Sequence, residues 1–167
     1  MTEIKLIEGG VCAAQGFTGA GIHCGVRKNR TKRDLALILS SVPASAAAVY
    51  TTNLVKGAPL EVTKKHLENG LARAVICNSG NANTCNADGI EIAEATCALL
   101  ASELGIAPED VVAASTGVIG QRLSLEPFKT GIPELCKALG PNSHDVGEAI
   151  MTCLLYTSPS PRDTERS

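Results

Sequence analysis

The stretch "ARAVICNSGNANTCNADGIEIAEATCALLASELG", residues 72–105, decides the fold class. Ala72 to Cys77 is an apolar run of strand length. Asn78, Ser79, Asn81, Asn83 and Asn86 then supply side-chain amides and a hydroxyl that bond nearby backbone, and Gly80 and Gly89 tolerate positive φ. From Asp88 to Leu104, Ile90, Ala93, Cys97, Leu100 and Leu104 recur at helical spacing, with Gly105 as a left-handed cap. A buried strand, a polar loop and a helix in succession form part of a layered sheet-and-helix unit. The loop reads equally as an Asn-stabilised connection or as the wall of a site, because α/β folds place ligands at the carboxyl ends of their strands.

The rest of the chain extends this pattern. Downstream, Val111 to Ala114 is a strand, Leu125 to Leu139 an amphipathic helix ended by Gly140, and Ser143 the N-cap of a last helix through Met151. Upstream, Val11 to Phe17 and Gly21 to Arg27 read as short strands around a Gly-rich turn. Leu35 to Ser41 and Ala46 to Thr52 read as buried neighbouring strands, and Pro59 to Asn69 as a helix closed by Gly70. The expected fold is α/β (α+β), a layered sheet-and-helix sandwich with strands first and helices interleaved later. Ser115, Thr116 and Gly117, which follow the strand at Val111, read on physics alone as a tight turn.

Composition excludes several functions. Fifteen Lys and Arg against seventeen Asp and Glu give a formal charge of -2 in 167 residues, which leaves no electrostatic footprint for nucleic acid. The basic cluster from Arg27 to Arg33 reads as a solvated loop. No run approaches the ~20 apolar residues of a membrane span, and the first thirty residues lack the order of a signal peptide, so the expectation is a cytoplasmic chain without a membrane partner. Seven cysteines contain no C-x-x-C pair and no zinc-finger spacing to His, which favours reduced, mostly buried thiols and no metal site.

Other chemistries fail on spacing. "GAGIHCG", residues 19–25, is too long for G-x-G-x-x-G and runs into strand-like sequence, and no phosphate-binding G-x-x-x-x-G-K-[ST] exists. His23, His66 and His144 are scattered. His66 falls near the C-terminus of its helix, where an exposed side chain is expected, and His144 follows the Ser143 cap.

Four strings in order carry a resemblance: "RDLALILSSVPASAAAVYTTN" (33–53), "NSGNAN" (78–83), "STGVIG" (115–120) and "EAIMT" (148–152). Together they resemble the glutamate N-acetyltransferase family, also called ornithine acetyltransferase, of arginine biosynthesis. The resemblance implies the ornithine acetyltransferase type of layered fold, of which residues 1–152 are the N-terminal half. It also implies a precursor that cuts itself at an Ala-Thr bond, freeing a threonine whose amine and hydroxyl act as base and nucleophile. Acetyl then passes from N-acetylornithine to glutamate through an acetyl-threonine, with acetyl-CoA as a further donor in some members and no bound cofactor or metal. Thr116 and Gly117 match the oxyanion-hole pair, Ser115 becomes a supporting hydrogen-bonder, and Thr152 matches a substrate-binding segment.

By this resemblance the nucleophile is expected to lie outside this chain. After "EAIMT" the family continues with a second Thr, an Asp and a β-rich segment, whereas here "CLLYTSPSPRDTERS" follows, rich in Ser, Thr and Pro. "LLYTSPSPRD" resembles translated sequencing-adapter DNA, so residues 153–167 are expected to be a non-family, artefactual and disordered tail. The resemblance gives as partner the C-terminal β chain of the same precursor, in an α2β2 assembly. The alternatives are an inactive half-domain, or a fragment of an N-terminal-nucleophile peptidase of similar layering whose nucleophile is equally missing.

Overall fold

The computed structural model describes residues 9–28 and 31–152. Four strands, β1 (Phe17–Ile22), β2 (Leu35–Ser45), β3 (Leu71–Asn81) and β4 (Val111–Val118), form one sheet in the order β1-β2-β3-β4. The first three are antiparallel neighbours, and β4 runs parallel to β3. A parallel pair needs a crossover, and α2 (Gly89–Leu104) supplies it. The other helices are α1 (Ala58–His66), α3 (Glu126–Lys137) and α4 (Ser143–Ile150).

Alternation along β2 builds two apolar layers. Leu35 and Leu37 join Ala74, Ile76, Val111, Phe128, Ile132 and Leu135 in the main core, between the sheet and α1, α2 and α3. Ala36 turns to the opposite face, where Val146 and Ala149 of α4 cover it with Ile38 and Cys77. Both faces of the sheet are therefore covered, as the layered reading requires. Within α2, Ala93, Cys97, Leu100 and Ala101 are buried and Gly105 closes the helix in the left-handed region, φ 65°. Ile90 departs from the expected stripe and is 51% exposed, because it sits in the first turn, before the helix meets the sheet.

Three sequence expectations are corrected. The residues from Val11 to Arg27 are not two strands around a turn: a 3₁₀ turn at Gly10–Cys12 precedes one strand that contains the glycines. Those glycines allow α4 to press on the sheet, since a Cβ on Gly21 would overlap the Asp145 carbonyl and one on Gly19 would lie 2.7 Å from Val146 Cγ2. The break at Ser41 and Pro43 is a register shift inside β2, which resumes pairing at Ala44 with Ala72 and Ser45 with Leu71. Residues 46–52 are not a strand. β3 begins at Leu71, so the strand pairing stops at Ser45: the Ala46 N–H still donates to the Gly70 carbonyl at 2.8 Å, and Val49 stands 99% exposed.

The third correction concerns His66, which is buried rather than exposed. Its Nδ1 donates to the Val111 carbonyl at 2.8 Å, and Nε2 lies 3.2 Å from the Glu94 carboxylate. Nearby, the Thr63 hydroxyl donates to the Ala113 carbonyl at 2.9 Å and accepts the Ala113 N–H at 3.3 Å. Two side chains of α1 thus satisfy backbone groups along the outer edge of β4, which would otherwise be unpaired. The expected tail, residues 153–167, lies outside the described residues.

Candidate functional site

Strands β3 and β4 end side by side, with Ser79 paired to Thr116, Gly80 to Gly117 and Asn81 to Val118. "STG" is therefore the last part of a strand, not a turn following one. Gly117 has φ 137°, and a Cβ there would lie 2.6 Å from the Asn81 nitrogen. Only glycine fits such a backbone against its neighbour.

A cleft of about 800 Å³ opens over this strand end. Thr116, Gly117 and Thr152 all line it, joined by Gly80, Arg27 and Gln121. The three residues singled out from the sequence are thus neighbours, although Thr152 lies beyond α4 and Thr116 on β4. Ser79 connects these parts by donating its hydroxyl to the Ala149 carbonyl at 2.6 Å, which ties β3 to the end of α4.

The asparagines hold the loops rather than face the cleft. Asn78 Nδ2 donates to the Asn81 carbonyl at 2.9 Å, and Asn83 Nδ2 to Gly89 at 2.8 Å, at the start of α2. Asn81 and Asn86 reach the Gln121 carbonyl at 2.9 and 3.0 Å, fixing the segment after β4. Ser115 Oγ donates to Asn78 Oδ1 at 2.6 Å and lines a separate pocket of about 190 Å³ with Pro59 and Thr84. Of the residues 77–89, only Gly80 lines the Thr116 cleft.

The basic segment, expected as a solvated loop, keeps Lys28 exposed and is also anchored at its start. Asp34, fully buried, accepts the backbone N–H groups of Cys24 at 2.6 Å, Gly25 at 3.1 Å and Arg27 at 2.8 Å, with His23 Nδ1 at 3.2 Å. A buried carboxylate needs such donors. The result is a fixed loop that puts Val26, Arg27 and Lys28 on the cleft wall. Arg33 instead pairs with Asp145 at 3.2 Å and with Glu148. The sequence signal for this loop was the acidic residue directly after a basic run, at the start of a strand.

Four of the thiols are held protonated by burial. Burial, helped by the Asp34 carboxylate, pushes Cys24 up to about 12, and burial with Glu94 nearby does the same for Cys97. Burial raises Cys77 to about 11. Among the described residues, all six cysteines are free. One group of metal-capable side chains, His144, Asp145 and Glu148, lies together on α4, but Arg33 occupies both of its carboxylates.

A sheet covered on both faces, with a cation-lined cleft at the carboxyl ends of its parallel strands, defines a layered α/β protein with an open cleft at the position where such folds hold small ligands. The chain belongs to the ArgJ family, whose match spans residues 18–159. It is 46% identical over 152 residues to the arginine biosynthesis bifunctional protein ArgJ of Symbiobacterium thermophilum, covering 89% of this chain and 38% of that protein. Against the protein of the same name from Bacillus subtilis the identity is 43%, covering 90% and 37%. The chain thus spans less than two-fifths of the length of these curated relatives.

Solved structures agree on the fold. A crystal structure of the ArgJ protein from Bacillus halodurans superposes with TM-score 0.81 at 39% identity, covering 90% of this chain and 78% of that one. The ornithine acetyltransferase of Mycobacterium tuberculosis, complexed with ornithine, gives 0.82 at 34% identity, covering 90% and 81%. The expected ornithine acetyltransferase type of layered fold is therefore the fold of this chain. Among the described residues no helix is long and apolar enough to cross a membrane.

Proposed function

We propose that this chain is the N-terminal part of a cytoplasmic acetyltransferase of arginine biosynthesis, which moves acetyl from N-acetylornithine to glutamate. The observation that carries the reading is the convergence of Thr116, Gly117 and Thr152 on one cleft, beside a strand end that accepts only glycine. A threonine Oγ from the rest of the precursor attacks the acetyl carbonyl, whose oxygen becomes an oxyanion. The Thr116 hydroxyl and Gly117 N–H donate to it. Collapse expels the ornithine amine, which takes the proton that the threonine amine removed from Oγ, and the glutamate amine then attacks the threonine ester, releasing Oγ, which regains its proton.

In this reading the nucleophile belongs to a β chain freed by self-cleavage, the two chains assemble as α2β2, and Thr152 borders the substrate. No cofactor is held in this reading, and acetyl-CoA, a donor for some members of the family, is a co-substrate to be assayed beside N-acetylornithine. In the same reading this chain alone, without that nucleophile, catalyses nothing.

Complementation tests it. Residues 1–152 are joined to the C-terminal region of the Symbiobacterium thermophilum relative, self-cleavage is followed by mass, and transfer from N-acetylornithine to glutamate is assayed. Thr116→Ala is expected to lower kcat by ~10²- to 10³-fold. Turnover by the isolated 167-residue chain, or no loss on Thr116→Ala, would overturn the reading.

A further inference from the structure

We propose that Arg27 is the carboxylate anchor of this cleft, binding the α-carboxylate of the amino acid whose nitrogen gives up or receives the acetyl group. The inference rests on the transferase reading for the identity of the ligand, and on the structure for the residue. Among the described residues the cleft wall carries two cations, Arg27 and Lys28, and no Asp or Glu. Such a surface attracts an anion and suits the free amine of an ornithine side chain poorly.

Arg27 is the better placed of the two cations. Asp34 pins its backbone N–H, and its stem lies across Gly80, where a Cβ would come within 2.6 Å of Arg27 Cγ. One terminal nitrogen donates to the Met151 carbonyl, next to Thr152. The guanidinium is therefore held between the β3 end and the segment carrying Thr152. Its Nε is buried and has no hydrogen-bond partner. A buried donor without an acceptor is rare, so the guanidinium is one acceptor short in this structure.

The chemistry explains why one fixed cation would serve both half-reactions. N-acetylornithine and glutamate differ in their side chains. They share an α-carboxylate one carbon away from the nitrogen that carries the acetyl group. A single anchor for that carboxylate aligns donor and acceptor nitrogens alike against the same carbonyl carbon, which is what a ping-pong transfer through one site needs.

Two measurements test it. In the joined enzyme described above, Arg27→Gln is expected to raise KM for both N-acetylornithine and glutamate and to lower kcat/KM for both by roughly 100-fold, kcat falling with it because the anchored carboxylate aligns the reacting nitrogen, with Arg27→Lys recovering part of the loss. An unchanged KM, or a fall confined to kcat, would overturn the proposal while leaving the transferase reading intact. On the 167-residue chain itself, phenylglyoxal modification of Arg27 is followed by mass spectrometry. N-acetylornithine is expected to slow it severalfold and the α-amide of N-acetylornithine to leave it unchanged, with Arg33 as the ion-paired control. Equal protection by the amide, or none by either, would overturn the anchor. If the joined enzyme transfers no acetyl group but the acid alone protects Arg27, the transferase reading falls and the carboxylate site stands.

Discussion

Gly117 lies against Gly80 so closely that a Cβ on Gly117 would overlap the Gly80 carbonyl and sit 2.6 Å from the Asn81 nitrogen. The two glycines are register partners at the end of the only parallel pair in the described sheet. This contact lets β4 carry Thr116 to the cleft without pushing β3 away.

Gly117→Ala is accordingly expected to damage the fold as well as the site. The alanine must hold φ near 137° and also displace backbone, each costing about 1–3 kcal/mol. Thr116→Ala, one residue earlier and only half-buried, is expected to change stability by less than about 1 kcal/mol. Urea unfolding of the two variants makes the comparison. Equal midpoints would mean that the Gly80–Gly117 contact is not tight.

Asp34 provides a second separation of scaffold from chemistry. Its carboxylate accepts three backbone N–H groups of the loop that carries Arg27, so Asp34→Ala leaves three donors without their acceptor. The expected loss is about 3 kcal/mol or more, at ~1–3 kcal/mol per unsatisfied group offset by partial rehydration. Hydrogen exchange should accelerate at the amides of Cys24, Gly25 and Arg27 before it does in α2. Unchanged protection at those three amides would count against Asp34 as the organiser of the cleft wall.

Local pattern reached far into this fold, and its failures share a cause. The strand, loop and helix between Ala72 and Gly105 were legible because periodicity and a helix-ending glycine act within one segment. β4 was legible as an apolar run, although the strand continues through Ser115, Thr116 and Gly117. What escaped depends on residues distant in sequence. The glycines of β1 are explained by Asp145 and Val146 of α4, and the loss of strand at 46–52 by the end of the β3 ladder at Leu71. His66 is buried because β4 needs a donor at Val111, which no helical period reveals. The oxyanion-hole candidates were found through motif resemblance, whereas Arg27 was missed because a charge run looks the same whether or not a buried Asp34 shapes it.

The buried thiols predict how stability responds to alkali. Cys24 and Cys97 are pushed up to about 12, Cys77 and Cys136 to about 11, in each case chiefly by burial, against an ordinary 9.0. The folded chain therefore keeps protons that the unfolded chain releases, so stability falls as pH rises. The contribution is complete below pH 9.0 and is lost as pH climbs through about 11 to about 12. The urea midpoint is expected to decline between about pH 8.5 and about pH 10.5, and less steeply in Cys24→Ala, which has one fewer group to ionise. Alkylation near pH 8 supplies the residue-level check: exposed Cys85 should react first, and buried Cys97 only after unfolding. A midpoint flat across that range, or prompt labelling of Cys97 in the folded chain, would show that these thiols are not held in the sheet–helix interior.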